Sequence, residues 1–436
     1  MSPIALGIIG IFCFFILLVL GMPIAYSMAI VGFAGFSIIN SLSTASRMIA
    51  QEFFTNFSSY SLSVVPMFVM MGFFAFYSGI GSRLYNFAYK AIGHLPGGLA
   101  IATQVTCALF GAVCGSNTAT AATIGAISLP EMRRYNYEIS FSTASVAAGG
   151  VLGVLIPPSV IFIIYGIATE QSIGRLFLAG ILPGILLMML YIITVYILAS
   201  RNPEIGPVGP RTSYYEKAQA LGGGLWEVMV VFLISLGGLF LGWFTPTEAG
   251  AVGAAGVLVL SVLEGQLRLV GIRKALNDTT RTTAMIMLLV AGAVTFGRFL
   301  SLSRLPFELA SWIGELPLPP FIIIAIIIIV YLILGCFIDA LALILLTIPI
   351  FYPVVVTTLG YDPIWFGVII VLVVAMGVIT PPVGMNVYII KGVVPDIPLE
   401  VIFRGIWPFL LAILICIALL IIFPGIATVL PNAFFN

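Results

Sequence analysis

The chain has 436 residues, 61% of them hydrophobic and only 8% charged, with a mean hydropathy of +1.22. An ordinary soluble domain carries about 25% charged residues, so this chain lacks the polar surface to cover itself in water and reads as an all-α polytopic membrane protein. The net charge of +1 offers no bulk field for nucleic acid.

Spans of about 20 apolar residues are predicted in chain order near 4–21, 23–39, 61–80, 139–165, 177–199, 225–243, 246–263, 282–303, 364–390 and 404–425. The first has no charged start and no small-residue cleavage site, so it reads as a span rather than a removable signal peptide. Pro23 and Pro246 stand where each opens a helix, a position that tolerates proline. Two stretches, 99–130 and 319–356, do not fit as simple spans. As one helix the first would be about 48 Å long, against a hydrocarbon core of about 30 Å. It carries a break of its own, CGSNTAT at 114–120, where Gly115 permits a turn and Ser116, Asn117, Thr118 and Thr120 supply oxygen. The second breaks near GCFIDA at 335–340, with Asp339 inside an apolar segment. Both are expected to be re-entrant hairpins. The longest polar connection, 200–220, is rich in Pro and Gly and divides the chain into halves 1–200 and 221–436, with 201–220 as a cytoplasmic linker.

The halves repeat weakly. At a shift of 224 residues Gly111 meets Gly335, Gly153 meets Gly377 and Pro157-Pro158 meets Pro381-Pro382. Lysine and arginine accumulate on the cytoplasmic side, which decides the orientation. With two hairpins and the N-terminus outside, 13 cationic residues lie inside: Arg83, Lys90, Arg133, Arg134, Arg201, Arg211, Lys217, Arg268, Arg273, Lys274, Arg281, Lys391 and Arg404. Arg47, Arg175 and Arg304 remain outside, and Arg298 lies within a span. Each half then has five spans and one hairpin. Five is odd, so the second half is inverted relative to the first, with both termini periplasmic.

The prolines at mid-span carry the chemistry. Proline lacks an N–H and clashes with the preceding helical turn, and bare backbone is tolerated at membrane depth only where it lines a protein-walled, watery cavity. A double proline at 157–158 or 381–382 frees carbonyl oxygens upstream, which suit a hard cation. It also leaves a helix N-terminus downstream, which suits an anion. Asp339 is a functional-site candidate by default; it could bind a cation, carry a proton or cap the second arm of its hairpin. Arg298 could hold a carboxylate or snorkel to the outer surface. Glu248 complements the dipole in the first turn after Pro246. His94 falls in a short polar connection, and the five cysteines form no CxxC pair, which leaves a metal or redox reading without support. There is neither a Walker A motif nor a catalytic constellation, so the chain reads as no enzyme and as not driven directly by ATP.

The strings GSNTATAATIGAISLPEM, SVAAGGVLGVLIPPSVIFIIYG, ATEQSIGRLFLAGILPG, FTPTEAGAVGA, GCFIDALALILLTIPIFYPV and GVITPPVGMN resemble the large membrane subunit, DctM type, of tripartite ATP-independent periplasmic (TRAP) transporters. The resemblance implies sodium-coupled uptake of an organic acid across a bacterial inner membrane by an elevator-type domain moving against a scaffold. It also implies a small four-helix membrane subunit and a soluble periplasmic substrate-binding protein as partners. Carried onto this sequence, the sodium positions are Gly115, Ser116, Asn117, Pro157, Asp339, Gly377, Thr380 and Pro381. The substrate positions are Asn117, Thr118, Pro158, Ser159, Pro382 and Asn386, with Arg298 as a weaker candidate. Thr120 and Cys114 stand where some relatives have Asp and Ser. A stand-alone sodium–dicarboxylate symporter needing no binding protein is the alternative, and an uncoupled channel-like component is a further one.

Overall fold

The structure is a computed structural model that describes residues 2–209 and 211–435, and those residues form helices and connections without a strand. That is what lipid demands of a chain this apolar, since only a helix satisfies its own backbone within each segment. The helices in chain order are α1 (Pro3–Val19), α2 (Ile24–Ile39), α3 (Leu42–Phe57), α4 (Val64–Tyr77), α5 (Ile80–Ile92), α6 (Gly98–Cys114), α7 (Asn117–Arg134), α8 (Ile139–Gly149), α9 (Leu152–Leu155), α10 (Val160–Ala168) and α11 (Ile173–Arg201). After the linker come α12 (Tyr214–Leu221), α13 (Leu225–Phe232), α14 (Gly238–Phe240), α15 (Pro246–Leu263), α16 (Leu269–Ser303), α17 (Leu305–Gly314), α18 (Pro320–Gly335), α19 (Ala340–Tyr352), α20 (Pro363–Gly377), α21 (Met385–Val393), α22 (Leu399–Ile422) and α23 (Gly425–Phe434).

Among the described residues, five helical segments are long and apolar enough to cross a membrane, or up to seven if each of two bent pairs counts as one span. The predicted span 246–263 coincides with α15, whose start is a reciprocal cap. Glu248 accepts the Thr245 N–H while the Thr245 hydroxyl accepts the Glu248 N–H, the structural role expected of that acid. The span predicted at 282–303 begins earlier, at Leu269, and runs 35 residues, about 52 Å. Its polar start carries Asp278, which accepts the Tyr77 hydroxyl at 2.6 Å and ties α16 to the end of α4. Helices α3, α5, α12, α17 and α23 have no counterpart among the predicted spans. Each is half polar, short or proline-bearing, and an amphipathic helix lying along other helices gives no span-length apolar signal.

The connection 201–220 is more ordered than an open linker. The Gly209 N–H donates to Gly93 O, Gly97 N–H to Gly206 O, Glu138 N–H to Ile205 O and the Tyr137 hydroxyl to Pro207 O. It is therefore strapped across the ends of the first hairpin, and it then forms α12, capped by Ser213 and Glu216. α5 is anchored beside it: Arg83 pairs with Glu227 of α13, which is 1% exposed.

Both predicted hairpins fold back. α6 ends at Gly115, left-handed at φ +65°, and α7 starts two residues later and packs along α6. Glycine at this turn removes the Cβ that disfavours a left-handed backbone. α18 turns through Cys336–Asp339 into α19, and the Thr347 hydroxyl donates to the Tyr331 hydroxyl at 2.6 Å across the two arms.

Candidate functional site at the hairpin tips

Each predicted mid-span break is present. The first span runs as α8 and α9, loses helical geometry over 156–159 and resumes as α10, bent by 43°. The second leaves α20 at Gly377 and resumes at Met385. Both Pro157-Pro158 and Pro381-Pro382 peptides are cis.

The breaks face the tips at close range, and glycine makes this possible. A Cβ on Gly115 would lie 2.6 Å from the Pro158 carbonyl oxygen, and one on Gly153 2.7 Å from the Ser116 carbonyl oxygen. The backbone pairing Gly111–Gly153 recurs as Gly335–Gly377: a Cβ on Gly111 would lie 2.7 Å from Gly153 Cα, and one on Gly377 2.8 Å from Gly335 Cα. The second helical pieces cross over between halves. α7 packs on α21, and α19 packs on α10.

A cavity of about 500 Å³ opens where these parts meet. One side is Cys114, Gly115, Ser116, Asn117, Thr118 and Ala119 of the first tip. Asp339, Ala340 and Leu341 of the second tip and Val160 and Ile161 of the first resumed helix also line it. Three helices, α7, α10 and α19, therefore present their first turns to one space. Such turns carry unpaired N–H groups and the positive end of the macrodipole. The three ends differ. The Asp339 carboxylate caps α19 by accepting the Leu341 N–H at 3.1 Å, so that N-terminus already holds an acid. α7 is capped by neutral groups: Asn117 Oδ1 accepts the Thr118 N–H at 2.8 Å, and Ser116 Oγ accepts the Ala119 N–H at 3.4 Å. α10 has no side-chain cap, and its N-cap residue Ser159 keeps a fully buried hydroxyl without a partner.

Of the residues singled out in the sequence, Gly115, Ser116, Asn117, Thr118 and Asp339 line the cavity. Pro157, Pro158 and Ser159 stand behind the first tip, within the break. Gly377, Thr380, Pro381 and Pro382 belong to the second break and are not among the lining residues. Thr380 Oγ1 donates to Met376 O at 2.7 Å. Asn386, on α21, is fully buried and donates from Nδ2 to Ala147 O at 3.1 Å, which brings the second half to the first hairpin's facing helix. Arg298 is not brought to the cavity: its Nε donates to Glu52 on α3 at 2.8 Å and its side chain is 61% exposed. Outside the spans, Arg133 at the foot of α7 pairs with Asp396, and the hydrogen bond from its guanidinium holds that carboxyl below the usual range.

Thr120, read in the sequence as part of the same polar string as Asn117, has a buried Oγ1 without a partner and packs against Gly153. Sequence reasoning missed one group. Val69, Phe73 and Phe76 of α4 and Thr282, Met285 and Ile286 of α16 form the opposite wall. Nothing in an apolar span separates a cavity wall from a lipid face.

A family model described as the DctM component of the tripartite ATP-independent periplasmic transporter matches residues 11–426. The chain belongs to the DctM family. Curated relatives agree. The C4-dicarboxylate TRAP transporter large permease protein of Pseudomonas aeruginosa is 38% identical over 88% of this chain and 90% of its own length. The sialic acid TRAP transporter large permease protein of Vibrio cholerae is 35% identical over 96% of each chain. The isethionate TRAP transporter permease protein DctMQ of Oleidesulfovibrio alaskensis is 35% identical over 90% of this chain and 60% of its own, longer length. Among solved structures, the Alcanivorax borkumensis YdaH transporter, described as having an unusual topology, superposes with a TM-score of 0.64 at 16% identity, over 88% of this chain and 90% of that one. That likeness is one of fold. This DctM-family chain is a multi-pass membrane permease and not an enzyme.

Proposed function

We propose that this chain is the carrier of a sodium-coupled system for uptake of an organic acid, working by an elevator mechanism. The observation that carries this reading is the convergence of both hairpin tips on one cavity with no Lys, Arg or His among its lining residues. An anion there is held by N–H groups and helix dipoles, and the ends of α7 and α10 supply both. The substrate carboxylate sits against Asn117 and Thr118 and the α10 end behind Pro158 and Ser159, with Pro382 and Asn386 supporting from the second break. Sodium occupies the oxygen-rich contact of each tip with its facing break: Gly115, Ser116, Asn117 and Pro157 on one side, Asp339, Gly377, Thr380 and Pro381 on the other. The buried, unpartnered oxygens Thr120 Oγ1, Ser159 Oγ and Asn386 Oδ1 stand beside these sets and support a ligand at the seam of tip and break, because a buried oxygen without a partner is costly. Arg298, paired with Glu52, drops out of the substrate set.

The recurring glycine pairs and the crossing of α7 on α21 and α19 on α10 support an inverted repeat, with halves 1–200 and 221–436. The cationic loops support a placement of 201–220 in the cytoplasm and of both termini in the periplasm of a bacterial inner membrane. The substrates in the names of two of these relatives, C4-dicarboxylate and sialic acid, support an organic solute of that size. The longer DctMQ relative has room for a further membrane component; here we assign that part to a separate small subunit, with a periplasmic binding protein delivering substrate.

The test is uptake of labelled acids into proteoliposomes holding this chain with its small subunit and binding protein. Uptake is expected only with a sodium gradient directed inward. Equal uptake with potassium in place of sodium would sink the coupling, and uptake by this chain alone would favour a stand-alone symporter.

A further inference from the structure

The cavity is divided by chemistry. Its polar side chains sit on the tips, apart from Thr282. The opposite wall is Val69, Phe73 and Phe76 on one face of α4, at the three- and four-residue spacing of a helix stripe, with Met285 and Ile286 on α16 and Ile389 on α21. This wall stands close to the first tip because Gly72 lets α4 approach: a Cβ there would lie 2.7 Å from the Cys114 carbonyl oxygen. The wall is not simply a lipid face, since hydrocarbon filling the same space would bring Asp339 into contact with lipid tails, which a carboxylate resists.

From this division we infer that the carried solute is an acid with a single carboxylate and an apolar body, such as a branched-chain or aromatic 2-oxo acid; the inference rests on the carboxylate reading above. The carboxylate goes to the neutral-capped and uncapped ends of α7 and α10. A second carboxylate would face Phe73, Phe76, Met285 and Ile286, which offer it neither a cation nor a hydrogen-bond donor, and a charge desolvated without a partner is costly. A polyhydroxylated acid would turn its hydroxyls to Phe73, Phe76, Met285 and Ile286, which offer no hydrogen-bond partner, and a desolvated hydroxyl left unpaired disfavours binding. An apolar body buries its surface on the same wall.

The test is equilibrium binding to the full-length chain in nanodiscs, at saturating sodium, with three labelled probes: 4-methyl-2-oxopentanoate, succinate and gluconate. The branched-chain acid is expected to bind at least about tenfold more tightly than either of the others. Phe76→Ser, at a side chain already 36% exposed, is expected to shrink that ratio by weakening the branched-chain acid alone. Succinate or gluconate binding as tightly as the branched-chain acid, or a ratio unmoved by the variant, would overturn the inference and leave the carboxylate site standing. Binding of none of the three would overturn both.

Discussion

Asp339→Asn is expected to weaken apparent sodium affinity by about a hundredfold, equivalent to about 3 kcal/mol, while leaving the fold intact. Asp339 is the one carboxylate among the cavity-lining residues, so the proposed sodium at the second tip has no other full negative charge to pair with there. The same carboxylate caps α19 through the Leu341 N–H, and asparagine caps a helix about as well as aspartate. The substitution therefore separates the two roles. If Asp339 only caps, thermal stability and sodium dependence both stay near wild type. If it also holds the ion, stability stays and the half-saturating sodium concentration for uptake rises. Asp339→Ala loses both and is expected to lower stability by about 1 kcal/mol in addition.

The second large effect is steric. Gly377→Val is expected to abolish uptake and to lower stability by about 1–3 kcal/mol. Even the first added atom would lie 2.6 Å from the Gly335 carbonyl carbon, and backbone cannot rotate away as a side chain can. The hairpin must then leave its facing helix, and the second proposed ion contact opens. Gly153→Val should do the same at the first tip, where the added atom meets Ser116 O at 2.7 Å. Gly392→Ala is the control: it lies within α21, a Cβ there meets nothing within 4 Å, and alanine in a helix is favoured over glycine by about 0.5–1 kcal/mol. Uptake and thermal melts of the three variants, at matched expression, read the contrast.

What could be read from the sequence follows from what membrane burial makes conspicuous. A double proline, an aspartate or a Ser-Asn-Thr run inside an apolar stretch is costly without a compensating environment, so Pro157, Pro381, Asp339 and Asn117 announced the tips and breaks before any geometry was known. The fold-back at Gly115 was legible for the same reason, since 99–130 was too long for one crossing. The amphipathic helices α3 and α5 were not legible, because their half-polar faces resemble connections when the neighbours that cover the apolar half are unknown. Arg298 was left between a carboxylate ligand and a snorkelling side chain because its partner Glu52 lies 246 residues away in sequence. The wall of Phe73, Phe76 and Met285 was invisible in principle, since an apolar residue facing a cavity and one facing lipid have the same composition.

The most direct test of the central claim, that sodium at the hairpin tips organises the carboxylate site, is a pair of calorimetric titrations on the full-length chain in nanodiscs. One follows acid binding at several fixed sodium concentrations, and the other follows sodium binding with and without the acid. Linkage requires the two ligands to strengthen each other by the same factor. The account predicts acid binding at least about tenfold tighter in saturating sodium than in potassium, with a matching gain in sodium affinity. Acid binding of equal strength in both salts would contradict it.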